Sequence, residues 1–304
     1  MSRALVVGAG GFVGGHLCAR LVADGWDVVG TVRPGRSSAG QPAGVRLAVQ
    51  IVAADLADPG ALSAAVRAAD PDIAFHLAAS RAQTDATGRA ATTAVNTLSG
   101  LHLVEALPDS CRAVVRLGSS TEHAAVDGPM DEHAPLRPRG FFGATKAAGS
   151  LLFAAAAAER GLRSVVLRAF QVYGPGDHPG RFVPTLLAAA RDGTVLPLTG
   201  PGRRRDWVYV ADVVDACVMA ATAGQLPAGQ VLNVGTGVQT SNEDLVACVE
   251  RVSGRAVRVE TGAHPGRAWD TGSWVCDPAA ARALLGWRPQ TDLAAGLRRC
   301  WDAP

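Results

Sequence analysis

Lysine is nearly absent from the sequence: Lys146 is the one lysine among 29 Lys and Arg residues. A composition so biased towards arginine keeps a lysine where a guanidinium cannot serve. An ammonium is a compact, rotatable point charge, whereas guanidinium is a wide planar fork. A large charge excess is missing too, since the formal net charge is +2. The arginines are scattered rather than banked in a tract, which argues against an electrostatic nucleic-acid footprint. The six cysteines (18, 111, 217, 248, 276 and 300) form no C-x-x-C pair and no metal-ligand spacing. They read as reduced core residues, with no metal expected and a cytoplasmic setting expected. No apolar run reaches membrane-spanning length without a charge or turn signal, so no membrane association is expected, and Leu151–Ala158 is too short to span. The apolar N-terminus is interrupted by glycines within its first dozen residues, unlike a signal peptide.

What is present is ample core material, 48% apolar residues in a chain of 304, patterned as alternating strands and helices. Arg3–Val7 is a short apolar strand, Gly8-Ala-Gly-Gly11-Phe-Val-Gly14 a glycine turn, and Phe12 to about Ala23 a helix. Strand, glycine turn and helix together form a dinucleotide-binding pattern. Gly8 permits the turn, Gly11 admits a pyrophosphate, Gly14 brings helix and strand together, and Phe12 and Val13 open the helix. A second strand, Trp26–Val32, ends without a carboxylate, offering Val32 and Arg33 with Arg36 and Ser37 nearby. That ending favours a ribose 2′-phosphate over a 2′-hydroxyl, hence NADP rather than NAD. Further strands are expected at Val49–Ala54, Asp72–Ala79, Val114–Leu117 and Arg163–Ala169. A helix runs to about Arg160 and stops at Gly161. The fold class expected is α/β, a Rossmann-type doubly wound parallel sheet. It spans residues 1–170, and a smaller α/β region, 171–304, returns segments to that sheet.

The G-x-x-G-x-x-G turn, the Ser/Thr segment Gly118-Ser-Ser-Thr-Glu-His123 and the helix Phe142-x-x-x-Lys146 resemble the extended short-chain dehydrogenases/reductases. These are the NAD(P)-dependent sugar-nucleotide epimerases, dehydratases and ketoreductases, and the likeness runs through Leu285-Gly-Trp-Arg-Pro289. The resemblance implies a Tyr-x-x-x-Lys pair whose phenol passes a proton to the sugar oxygen. The lysine lowers the phenol pKa and holds the nicotinamide ribose. Here Lys146 is present and Phe142 stands where the phenol is expected. The same resemblance implies adenine contacts from Asp55 and Leu56, and a loop along the cofactor at Leu77, Ala78 and Ala79. It implies that Asn96 fixes main-chain geometry, that Ser120 bonds a substrate oxygen, and that Thr121 and Glu122 stand where dehydratases carry Asp-Glu. Gln171, Arg181, Arg205 and Arg267 are the implied substrate contacts, Arg267 three residues from its usual place. His76 reads instead as a packed strand histidine.

The leading expectation is an NADPH-dependent ketoreductase acting on a nucleoside-diphosphate 4-keto-6-deoxyhexose, as a homodimer. The alternatives are a 4-epimerase, and a nucleotide-sugar-binding pseudoenzyme or engineered Tyr→Phe form. With the phenol missing, the candidate proton donors are Ser120, Thr121, Glu122, His123 and a water.

Overall fold

The computed structural model describes residues 2–35, 48–81, 85–224, 226–264 and 271–303. Arg36, Ser37 and Arg267, named above, lie outside the described residues. The strands are β1 (Arg3–Val7), β2 (Asp27–Val32), β3 (Val49–Ala53), β4 (Ile73–His76), β5 (Ala113–Ser119), β6 (Pro129–Met130), β7 (Ser164–Ala169), β8 (Gln171–Tyr173), β9 (Val195–Leu198), β10 (Arg204–Tyr209), β11 (Gln230–Val234), β12 (Gln239–Ser241), β13 (Arg258–Thr261) and β14 (Val275–Cys276). The helices are α1 (Phe12–Ala23), α2 (Pro59–Ala69), α3 (Ala86–Thr93), α4 (Ser99–Ala106), α5 (Phe141–Glu159), α6 (Phe182–Asp192), α7 (Val210–Thr222), α8 (Asn242–Ser253), α9 (Ala279–Leu285) and α10 (Leu293–Asp302).

A 7-stranded sheet runs β11-β7-β5-β4-β1-β2-β3, with every pair parallel. Its central strands are buried on both faces, which is why β1, β4 and β7 read as continuous apolar runs rather than alternating ones. The Rossmann-type doubly wound sheet expected from the sequence is therefore the observed one. Strand order reverses between β1 and β4, so a crevice opens at their carboxyl ends, the usual ligand position in such sheets. The expected strand 72–79 is shorter, 73–76. Its downstream residues leave the sheet as a loop after the Leu77 amide bonds the Val7 carbonyl at 2.9 Å.

Helix α5 is long and apolar enough to cross a bilayer by composition alone. In this fold it is a core helix, with Lys146, Gly149, Ser150 and Phe153 buried, and Gly161 at φ 63° follows its end. Beyond β7 the chain builds two smaller sheets, β12-β10-β8 and β13-β9, before and after lending β11 to the large one. Asp206 ties these parts together: its buried carboxylate accepts from Thr236 N, Thr236 Oγ1, Gly237 N and Cys276 N. All six cysteines are buried and unpaired.

Candidate active site

The site grows from the packing of α5 on the end of β5. Lys146 is 3% exposed, and its Nζ donates to the Leu117 carbonyl at 2.6 Å. Burial, with the Arg116 charge adding to it, lowers the Lys146 ammonium from 10.5 to about 7, while Glu122 pulls the other way. Phe142, half-buried, stands one helical turn earlier.

A web of polar contacts fixes that turn. Ahead of α4 the chain makes a π-helical turn, Ala94–Leu98, the type of local widening often found at functional sites. It carries Asn96, whose Oδ1 accepts from Ser80 N at 2.7 Å and whose Nδ2 donates to Ser80 O at 2.9 Å. The same Nδ2 reaches Thr145 Oγ1 at 3.1 Å, and Thr145 Oγ1 donates to the Phe142 carbonyl at 2.9 Å. Asn96 thus fixes main-chain geometry, as the resemblance implied, and extends that hold to the Phe142–Lys146 turn. Arg116, fully buried, donates to the Asn96 carbonyl, meets His76 Nδ1 at 3.3 Å and lies over the Phe153 ring. Burial pushes its guanidinium down to about 10. Sequence reasoning passed over Arg116. The signal was Gly149, where a Cβ would overlap both the guanidinium and the Asn96 carbonyl. His76 is a packed histidine, bonded to Ser99 Oγ at 2.7 Å and held well below its ordinary pKa, chiefly by burial.

Two proton-donor candidates have their polar atoms engaged by neighbouring groups. Glu122 is fully buried: Oε1 accepts from Ser119 N at 2.8 Å and Ser150 Oγ at 3.0 Å, and Oε2 pairs with Arg168 Nε at 3.0 Å. It completes a capping box with Ser119, an S-x-x-E signal present in the sequence and unread there. Its carboxylate is held by these three partners. His123 is turned to Asn233 Oδ1 at 3.1 Å and the Ala134 carbonyl at 3.3 Å, and burial lowers its pKa. Thr121 is exposed and shares a 2.8 Å hydrogen bond with Ser119 Oγ. Ser120 is 5% exposed, at the carboxyl end of β5, and its Oγ accepts from Trp274 Nε1 at 3.0 Å. Trp274 escaped sequence reasoning because a lone tryptophan in an irregular stretch carries no spacing signal.

The glycine turn fits a dinucleotide pyrophosphate. Gly8 has φ 94°, a Cβ on Gly14 would overlap the Gly8 carbonyl, and the N-cap of α1, Gly11, offers no side-chain oxygen to the first amides. Those amides are left to a ligand. Thr31 Oγ1 accepts from Gly8 N at 3.2 Å, and Ala78 packs beneath Gly8. Phe12, Val13, Leu77, Ala78 and Ala79 line this end of the sheet, while Arg33 lies exposed just after β2. Asp55, after β3, accepts from the Ala57 amide at 3.0 Å, and Leu56 is half-buried beside it.

A cleft of about 840 Å³ is lined by Val126, Asp127, Arg139, Arg204, Thr271 and Ser273 among others, Ser273 being the neighbour in sequence of Trp274. Arg204 lines it and Arg205 does not, because consecutive strand residues face opposite ways. Arg205 Nη1 instead donates to the carbonyls of Arg204 and Thr271. Arg181 pairs with Asp177 at 3.3 Å at the start of α6, and Gln171 is half-buried on β8.

Comparison with known proteins finds relatives along nearly the whole chain. The chain is 33% identical over 309 residues to the UDP-glucose 4-epimerase of Mycolicibacterium smegmatis, covering 98% of this chain and 96% of that one. It superposes with TM-score 0.87 and 31% identity on MoeE5 in complex with UDP-glucose and NAD, covering 99% and 97% of the two chains. A tyrosine-to-phenylalanine mutant of the Bacillus cereus UDP-glucuronic acid 4-epimerase, in complex with UDP-4-deoxy-4-fluoro-glucuronic acid and NAD, superposes with TM-score 0.87 at 25% identity, covering 98% of each chain. The sequence model of the NAD dependent epimerase/dehydratase family matches residues 4–235, and the chain belongs to that family.

Proposed function

We propose that this chain transfers hydride to and from a ring carbon of a nucleoside-diphosphate sugar, in the manner of the 4-epimerases it is similar to. The observation that carries this reading is the buried Lys146, bonded to the Leu117 carbonyl just before the Ser120 segment of β5, with β4 alone between that strand and β1, which leads into the Gly8–Gly14 cradle. Gly8, Gly11 and the first amides of α1 would hold the cofactor pyrophosphate, with Asp55 and Leu56 towards its adenosine end. When bound, the nicotinamide supplies hydride acceptance and return. The chain's own groups do the rest. Arg139 and Arg204 give the cleft two cations suited to a diphosphate. Ser120 offers its hydroxyl to the reacting oxygen, and Lys146, anchored on the Leu117 carbonyl, lends an amine that gains or loses its proton near neutral pH. Phe142 keeps the aromatic volume of the missing phenol without its proton. Binding of both ligands is therefore expected to survive while proton transfer is slow. The Bacillus cereus mutant complex supports this, since there a Tyr→Phe enzyme holds a sugar nucleotide and NAD together.

A second reading, NADPH-driven reduction of a 4-keto sugar, is favoured by one feature. The β2 end carries Val32 and exposed Arg33 where an NAD enzyme places a carboxylate. Dehydration is disfavoured because Glu122 is committed to Arg168, Ser119 and Ser150. Exposed Leu98, Leu151 and Leu152, near and on α5, support a homodimer through these helices. The test is a panel of UDP- and dTDP-hexoses and their 4-keto forms, each with NAD and NADPH, followed by product analysis. Epimer without net cofactor consumption supports the first reading, and NADPH consumption the second. Binding with neither supports a pseudoenzyme. If no sugar nucleotide binds, the substrate class is wrong.

A further inference from the structure

We infer that Trp274 is a positioning residue: its indole N–H occupies a lone pair of the Ser120 hydroxyl and so leaves the hydroxyl proton to be donated to the sugar oxygen. This rests on the reading above that Ser120 faces the sugar. The direction of the bond is not open to choice. An indole N–H only donates, so at 3.0 Å Ser120 Oγ is the acceptor. A serine hydroxyl has one proton and two lone pairs, and Trp274 takes a lone pair. The proton is left over, and among the described residues no hydrogen bond gives it a protein acceptor. Ser120 is 5% exposed, so its hydroxyl has few other directions in which to find one.

The setting of Trp274 explains how the indole is held. It follows Ser273 and precedes β14, which pairs with β6 through Val275↔Pro129 and Cys276↔Met130. Its ring packs with Met130, Phe170 and Cys276, while Ser273 Oγ accepts from Gln239 Nε2 at 2.7 Å. The tryptophan therefore belongs to the second half of the chain and reaches back to a hydroxyl at the end of β5 in the first.

The chemical consequence follows from the missing phenol. A freely rotating hydroxyl can accept from an alcohol or donate to a carbonyl. A hydroxyl held as a donor, and polarised by a hydrogen bond it already accepts, favours the oxygen as it becomes a carbonyl or carries negative charge. Such a bias acts on the transition state more than on the bound alcohol, so it belongs in kcat rather than in binding. No proton need leave Ser120 for this to hold.

The test uses the full chain with ¹⁵N-labelled indoles. The Trp274 Nε1–H resonance is assigned by its loss in Trp274→Phe, which keeps a ring against Met130 and Phe170. Ser120→Ala is expected to move that resonance upfield and speed its exchange with solvent. UDP-glucose is expected to shift it, and UDP alone to leave it nearly in place. In turnover, Trp274→Phe is expected to lower kcat about two- to tenfold, the range of one net hydrogen bond, with KM little changed. The same substitution in a Ser120→Ala background should then have no further effect. An indole resonance indifferent to Ser120→Ala overturns the inference, as do losses that simply multiply in the double variant. If UDP-glucose and other sugar nucleotides neither bind nor react, the proposed function fails. The response to Ser120→Ala then decides the inference by itself.

Discussion

Replacing Lys146 by methionine should change stability with opposite signs at low and high pH. The wild-type ammonium falls from 10.5 to about 7 on folding, because burial and Arg116 disfavour its charge. Below pH 7 both folded and unfolded chains carry the proton, and the buried charge exerts its full destabilisation. Between pH 7 and 10.5 the unfolded state binds more protons, so wild-type stability rises with pH across that window. At about 1.4 kcal/mol per tenfold change in proton affinity, the destabilisation relieved is about 5 kcal/mol as an upper limit. Methionine removes this charge but leaves the Leu117 carbonyl without its 2.6 Å donor, at a cost of about 1–3 kcal/mol. The net expectation at pH 6 is that Lys146→Met is more stable than wild type by about 2–4 kcal/mol. Near pH 10.5 the order reverses, because the neutral amine still donates its hydrogen bond. Thermal unfolding of both proteins from pH 6 to 10.5, without added nucleotide, checks this. A stability difference that stays constant over the range, or a variant less stable at every pH, would refute the account of the buried ammonium.

Arg168→Met leaves the fully buried Glu122 carboxylate without its cation and should cost about 3–5 kcal/mol in denaturant unfolding, with much of it recovered in Glu122→Gln/Arg168→Met. If Arg168→Met is neutral, the carboxylate is not held as described. Arg33→Ala should weaken NADPH binding by about 1.5–3 kcal/mol and leave NADH nearly unchanged in calorimetric titration, the range for hydrogen bonds to a charged group. Equal weakening of both, or of neither, argues that Arg33 does not meet a 2′-phosphate.

The sheet was legible because parallel strands covered on both faces leave unbroken apolar runs, and because the Gly8–Gly14 turn separates strand from helix in the expected order. That Lys146 lies on a helix and Ser120 at a strand end was legible as well, since a single lysine in a helical pattern and a Ser-Ser-Thr segment after an apolar run are local signals. What escaped depended on contacts distant in sequence. Glu122 looked available until Arg168, 46 residues away, and Ser150, 28 residues away, were seen to hold it. His123 is occupied by Asn233, 110 residues on, and Ser120 is met by Trp274, 154 residues on. Arg116 lay within an apolar strand where no periodicity marks a buried cation, and the room for it came from glycines on two other helices, Gly100 and Gly149. The Arg204–Arg205 pair shows a different limit. Alternation alone says the two face opposite ways, but not which one meets the cleft.

The central claim, that Phe142 occupies the proton-donor position of a sugar-nucleotide redox site, is tested most directly by single-turnover hydride transfer in Phe142→Tyr. The measurement compares both proteins with the sugar nucleotide and cofactor that the panel identifies. Positioned acid–base catalysis is typically worth about 10²–10⁴ in rate, so the tyrosine variant should be faster by an amount in that range with substrate Kd little changed. If the Phe142 protein already turns over rapidly and the phenol adds nothing, the missing hydroxyl is not what limits this site, and the claim is contradicted.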